Sequence, residues 1–279
     1  MLQRNEISQT DYERFRQFLE QACGIVLGEG KQYLIVSRLT KLLRDEEIPS
    51  VAELLNAIQR GHPRHLRDAV IDAMTTNETS WFRDGGPFEL FEKLCLPELE
   101  SRLHQSCKIW SAACSSGQEP YTISMILHDY LRKKPDSRLK NTQIMATDIS
   151  NSMLALARRG IYEEYALIRG ISPTRRQQFF TALDEDGRWQ LNNEIKDRVQ
   201  FREQNLLQSY TSLGRFDVIF CRNVLIYFSI ERKIDILTRL AQTMNPQGYL
   251  FLGASETISG YSDAFEMQRT PYGVVYRRH

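Results

Sequence analysis

In residues 1–75 the apolar positions recur three and four apart, which is the spacing of one face of a helix. Tyr12, Phe15, Phe18, Leu19 and Ala22 make one such stripe, and Gly24 follows it as a stop signal. Thr10 to Glu13 reads as a T-x-x-E capping box ahead of that stripe. Ser50 to Glu53 repeats the device, and Gly61 closes the helix it opens. Pro63 suits the first turn of a further helix carrying Leu66, Val70 and Met74. No strand-like run intervenes, so this stretch predicts a small all-helical unit.

From about Lys108 the period shortens. KIWSAAC, TQIMATD, VQFREQN, FDVIFCRN and GYLFLGA are short apolar runs bounded by polar residues, the signature of buried strands. The helical segments PYTISMILHDYLR, NSMLALARR and ERKIDILTRLAQTM separate most of them. In the first, Ile123, Ile126, Leu127, Tyr130 and Leu131 share one face. Strands alternating with helices predict a parallel, doubly wound, Rossmann-like sheet. Two strand-like runs around Pro271–Gly273 add a C-terminal antiparallel hairpin, so the sheet is expected to be mixed. Residues 161 to about 200 interrupt the alternation with the short helical segment SPTRRQQFF and the D-G turn signal of DEDGRWQL. That stretch reads as a small antiparallel β insert, serving either partner recognition or a plain long connection. The expected fold class is therefore α/β with an N-terminal all-helical domain (1–75) and a second domain (76–279). The second includes a linker over about 76–105 and a β-subdomain insert over about 161–200.

Composition narrows the chemistry. With 42% hydrophobic and 25% charged residues, the 279-residue chain has the make-up of an ordinary globular protein. A net charge of +1 provides no global attraction for nucleic acid or membrane, so a charged partner needs a local patch. No run approaches the ~18 apolar residues of a membrane span, and the start has no apolar signal region. The five cysteines are odd in number, scattered and never paired as C-x-x-C, which points to a reducing cytoplasm. His62 and His65 form an H-x-x-H broken by Pro63 with no further ligand beside it, so no metal site is expected there.

In a doubly wound sheet the ligand lies beyond the carboxyl ends of the strands, where strand order reverses. Four strand ends supply candidates: Ser115 to Glu119, then Asp148, then Asn205 and Leu206, then Arg222 and Asn223. Asp148 stands roughly one βαβ unit beyond Gly117. From there an acid either accepts the ribose hydroxyls of an adenosine or merely caps the following helix. The first turn has a single glycine where a dinucleotide fold has G-x-G-x-x-G, and Glu119 occupies the place of a phosphate. A phosphate would be repelled there. A ligand with an adenosine, no phosphate and a cationic end would not, and S-adenosylmethionine has those features.

WSAACSSGQEPYTIS, TTNETSWFRD, ATDIS, QNLLQ and FDVIFCRNVLIYF, in that order, resemble the CheR family, bacterial chemotaxis methyltransferases that esterify receptor glutamates. The resemblance covers nearly the whole chain. It implies the same domain plan, with S-adenosylmethionine as donor, S-adenosylhomocysteine as product and no metal. It further implies that Asn77, Thr79 and Arg83 meet the cofactor from the linker. Glu119, Asp148, Asn205, Leu206 and Asn223 would line the pocket from the sheet, with Arg222 close by. Arg83 and Tyr227 would flank the transferred methyl group as catalytic residues; the alternatives are an interdomain ion pair and strand-end packing. Cys114 stands where the family often has alanine or serine. A glutamate acceptor is already an anion at neutral pH, its reference pKa being about 4.3, so the absence of a His-centred triad is consistent with such chemistry.

Lys31, Arg38, Lys41 and Arg44 lie on one side of a helical stretch, opposite Ile35, Val36, Leu39, Leu42 and Leu43, with no acid between Lys31 and Arg44. This is either a solvated face or a docking surface for the acidic methylation helices of transmembrane chemoreceptors. The expected partners are those helices, together with a receptor C-terminal tail on the β-subdomain, without nucleic acid or membrane insertion. The competing functions are methyl transfer to another acceptor, such as RNA, and a non-catalytic cofactor-binding adaptor.

Overall fold

The computed structural model describes residues 7–61, 63, 65–102, 106–183 and 187–279. Helices α1 (Gln9–Cys23), α2 (Gln32–Asp45), α3 (Val51–Arg60) and α4 (His65–Met74) fold around a core of their own. Phe15, Leu19, Ile35, Leu39, Leu54 and Val70 are its buried centre. The α1 cap is Ser8 and not Thr10: Ser8 Oγ accepts the Asp11 N–H at 3.1 Å and donates to Asp11 Oδ2 at 2.7 Å. An S-x-x-D box two residues upstream has captured the helix start, leaving Thr10 inside the first turn. Ser50 caps α3 through the Glu53 N–H at 3.2 Å, and Gly24 and Gly61 end their helices in the left-handed region. His62 lies outside the described residues, and His65 pairs with Glu46 at 2.9 Å.

Residues 86–102 form one helical run: α5 (Gly86–Leu90), a π turn (Phe91–Cys95) and α6 (Leu96–Arg102). Pro97 has no N–H to give the Lys93 carbonyl, and the ladder slips into the wider π turn just ahead of it. The run lays Phe88, Phe91 and Leu96 on the sheet, where Phe88 stacks on Phe220 at 5.9 Å and Phe220 on Phe251 at 4.3 Å.

Next come β1 (Lys108–Ala112), α7 (Gln118–Lys133), β2 (Gln143–Asp148) and α8 (Asn151–Arg159). The insert contains β3 (Ile161–Glu163), α9 (Glu164–Ile168), α10 (Pro173–Phe179), β4 (Phe180–Ala182), β5 (Arg188–Leu191) and α11 (Asn193–Lys196). The chain finishes with β6 (Val199–Glu203), β7 (Phe216–Cys221), α12 (Ile230–Thr243), β8 (Met244–Phe251), β9 (Phe265–Thr270) and β10 (Gly273–Arg278). The large sheet runs β6-β2-β1-β7-β8-β10-β9, with its first five strands parallel and the C-terminal pair antiparallel. Ala112 is level with both Thr147 and Cys221, so three strands end together and strand order reverses at β1.

The insert is a three-stranded antiparallel sheet, β3-β5-β4. The D-G turn at Asp186 lies outside the described residues. The Trp81 ring wedges edge-on against Tyr162 at 4.9 Å and Phe180 at 5.4 Å, and the Trp81 backbone N–H reaches the Arg169 carbonyl at 3.2 Å. Gly170, at φ 114°, passes so close to the Trp81 carbonyl that a Cβ would collide with it. Segment 76–84 is thereby pinned between the helical unit and the insert, above the strand ends. No helix among the described residues is long and apolar enough to cross a membrane.

Candidate active site

Beyond the aligned ends of β2, β1 and β7 lies a cleft enclosing about 950 Å3 with its open mouth included. Asn77, Thr79, Arg83, Glu119, Asp148, Asn205, Leu206, Arg222, Asn223 and Tyr227 all line it, from four strand ends and the pinned segment.

The turn after β1 bends sharply. Ala113 at φ 59°, Ser115 at φ 50° and Gly117 at φ 96° are all left-handed, and two of them pay the side-chain penalty that glycine avoids. Backbone donors hold the turn: Cys114 N–H reaches the Thr147 carbonyl at 2.9 Å, and Ser115 N–H reaches Asp148 Oδ2 at 2.7 Å. Asp148 Oδ1 takes the Ser150 N–H at 2.9 Å. Ser150 itself caps α8 through Met153, so Asp148 ties the turn to the helix entrance and is not the cap. Burial pushes the Asp148 carboxyl above its usual range, while those backbone N–H groups pull the other way.

Glu119 is held differently. Its Oε1 accepts from Ser111 Oγ at 2.7 Å, and its Oε2 pairs with Arg222 Nη1 at 3.1 Å. Arg222, with 1% of its side chain exposed, turns Nη2 to Asp84 Oδ2 at 2.7 Å and to the Arg83 carbonyl at 2.9 Å. Its guanidinium lies 5.2 Å over Phe88. Burial pushes Glu119 up, with Arg222 and Ser111 opposing. The three side chains form a net negative unit, so Arg222 offers the cleft no unpaired positive charge.

The helical unit supplies one wall. Asn205 Nδ2 donates to the Ala22 carbonyl at 2.8 Å, and the Val26 N–H donates to the Tyr227 carbonyl at 2.9 Å. Phe228 packs on Gly24 so closely that a side chain there would collide. The Asn205 side chain thus joins the two units, and Asn205 and Leu206 line the cleft beside that junction. Asn77 Nδ2 bonds Thr75 Oγ1 at 3.2 Å, while the Asn77 carbonyl accepts from Ser115 Oγ at 2.9 Å. Arg83 Nη1 donates to the Glu78 carbonyl at 3.0 Å.

Lys31, just ahead of α2, and Lys41 and Arg44 on it are exposed, but Arg38 is committed inward. Its guanidinium caps the end of α4 through the Met74 and Thr75 carbonyls and reaches Thr76 Oγ1 at 3.0 Å. Four contributors escaped sequence reasoning: Asp84, Ser111, the α1 end at Cys23–Ile25, and Glu256, which sits behind the loop after β7. Asp84 and Ser111 lie inside the segments TTNETSWFRD and WSAACSSGQEPYTIS, but nothing in the spacing marks either as a partner of Arg222 or Glu119.

The donor set suits an adenosine bearing a positive charge. The cationic lining residues are Arg83 and Arg222, set against Glu78, Glu119 and Asp148, and Arg222 is already paired twice. The turn after β1 has two non-glycine left-handed residues where a phosphate cradle needs bare backbone. S-adenosylmethionine therefore fits, and among the described residues no group of three or more His, Cys, Asp or Glu is placed to hold a metal.

Comparison with known proteins agrees with this geometry. The family described as "CheR methyltransferase, SAM binding domain" matches residues 77–274, and "CheR methyltransferase, all-alpha domain" matches residues 10–75. Chemotaxis protein methyltransferase 1 of Pseudomonas aeruginosa is 52% identical over 270 residues, covering 96% of this chain and 97% of that one. The relative named chemotaxis protein methyltransferase Cher2 of Pseudomonas putida is 49% identical, covering 96% and 97%. The chemotaxis protein methyltransferase of Vibrio parahaemolyticus is also 49% identical, covering 97% and 98%. A cleft built for a phosphate-free adenosine, closed by a helical unit and matched over nearly its whole length by these relatives, makes this chain a member of the CheR methyltransferase family.

Proposed function

We propose that this protein transfers a methyl group from S-adenosylmethionine to glutamate side chains of chemotaxis receptors, leaving glutamate methyl esters. The observation that carries the reading is the pair of nearly buried carboxylates, Glu119 and Asp148, at the switch point of the sheet without a phosphate cradle. The names of the relatives supply the acceptor class.

When bound, S-adenosylmethionine supplies an electrophilic methyl on a sulfonium sulfur. Asp148 and Glu119 hold the adenosine and the cationic end, together with Asn77, Thr79, Leu206 and Asn223. The acceptor carboxylate is ionised at neutral pH, so no residue has to remove its proton. What the chain provides is orientation and exclusion of water, and good alignment is worth on the order of 7–11 kcal/mol of barrier. Arg83, on the cleft wall, orients the acceptor carboxylate through its planar fork. Tyr227 lines the same cleft, its backbone carbonyl held by the Val26 N–H.

The acceptor helix docks on the exposed cations Lys31, just ahead of α2, and Lys41 and Arg44 on it. The insert offers a receptor tail an apolar surface, with Tyr165 72% and Ile168 70% exposed on α9. The five buried free cysteines fit a cytoplasmic location. Incubation with labelled methyl donor and receptor fragments, followed by mild base, tests the reading. Base-released label on the receptor is expected. Base-stable label would point to another acceptor group, and no label to a binding-only role.

A further inference from the structure

The loop after β7 carries Arg222, Asn223 and Tyr227 to the cleft, and much of its backbone has no ladder to satisfy it. Its N–H groups converge on a single carboxylate. Glu256 Oε2 accepts from Asn223 at 2.6 Å and from Gly253 at 2.7 Å. Glu256 Oε1 accepts from Val224 at 3.0 Å and from Ile226 at 3.3 Å. Backbone donors on a carboxylate are among the stronger protein hydrogen bonds; three of these four fix the course of the loop after β7, and the Gly253 N–H ties the same carboxylate to the loop after β8.

Two further features mark this as a built clamp. Asn223 is left-handed at φ 58°, a conformation the chain keeps only when its surroundings impose it. At Gly253 a Cβ would lie 2.7 Å from Asn223 Nδ2, 2.7 Å from Glu256 Oε2 and 2.9 Å from Asn223 N. Glycine is therefore needed for the loop after β8 to come under the loop after β7. Glu256 is not among the cleft-lining residues, so it acts through the loop.

We propose that Glu256, seated under Asn223 by the close approach of Gly253, is a positioning residue for methyl transfer. It holds the loop that sets Arg222 against Glu119 and Asp84 and places Tyr227 at the wall of the cleft. The inference rests on the proposed function. A displacement of about 1 Å in a reacting constellation can cost on the order of a hundred-fold in rate.

The test uses the full chain, labelled S-adenosylmethionine and a receptor fragment, with kcat and both KM values expressed per folded molecule. Glu256→Gln keeps the side-chain shape but replaces one acceptor oxygen with a donor that faces two N–H groups. It is expected to lower kcat about ten- to a hundred-fold, with smaller changes in either KM. Gly253→Ala leaves the carboxylate intact while pushing on the same loop, and should reproduce that pattern. It decides the matter alone if Glu256→Gln fails to fold. Wild-type kcat in either folded variant overturns the inference, as does a loss accounted for by unfolding. If the wild-type protein itself leaves the receptor unlabelled, the proposed function fails instead.

Discussion

The cleft has two nearly buried carboxylates, and they are held by opposite means. Asp148 is satisfied by backbone N–H groups of Ser115 and Ser150, one beyond the end of the neighbouring strand and the other two residues downstream. Glu119 depends on side chains: Ser111 on β1, and Arg222, which also pairs with Asp84. The Asp148 arrangement follows from the fold once three parallel strands end level. The Glu119 arrangement has to be assembled from remote residues and collapses if one of them is lost. This difference separates the two carboxylates experimentally.

The largest effect is expected at Arg222. Arg222→Met would strand Glu119 and Asp84 around an apolar side chain, and breaking a buried pair by removing one partner costs about 3–5 kcal/mol. Urea unfolding should show that loss, and a drop below about 1 kcal/mol would mean the network is solvated in solution. At Asp148 the expected effect falls on binding. Asp148→Asn should weaken S-adenosylhomocysteine about ten- to a hundred-fold, the range of a lost charged hydrogen bond.

Asp148 also has a pH signature. Its carboxyl is raised by burial in the folded chain, so its stabilising contribution is complete below the ordinary carboxylate pKa of about 4 and is lost as pH rises through the raised folded value. The unfolding free energy of Asp148→Asn minus that of wild type should therefore grow with rising pH across that window. A flat difference between acidic and neutral buffers would contradict the burial argument.

Smaller effects belong to the wall between the units. Asn205→Ala removes the bond to the Ala22 carbonyl and should cost about 1 kcal/mol. The smallest belong to α2. Charge reversal at Lys41 and Arg44 should raise the receptor KM about two- to five-fold per site, more at low salt, because exposed charges are screened. Donor affinity should not move. A parallel loss of donor affinity would mean that α2 shapes the cleft itself.

Periodicity revealed much of this, because a strand end is defined by where an apolar run stops. Asp148, Asn205, Arg222 and Asn223 were legible for that reason. The helical run Gly86–Arg102 was not, since Pro97 and the π turn break its 3.6-residue pattern. The Arg222–Asp84 pair joins residues far apart in the chain that share no pattern, so nothing local announces it. Arg38 shows the opposite error: its helical position is that of a surface cation, but the end of α4 passes close enough to claim it. Ser8 shows how two overlapping capping boxes compete and the upstream one wins.

The most direct measurement is a calorimetric titration of S-adenosylhomocysteine into wild type, Asp148→Asn and Glu119→Gln under identical conditions. The account predicts one-to-one binding to wild type and clearly weaker binding to both folded variants. Wild-type affinity in either variant would contradict a cleft that recognises its ligand through two differently held carboxylates.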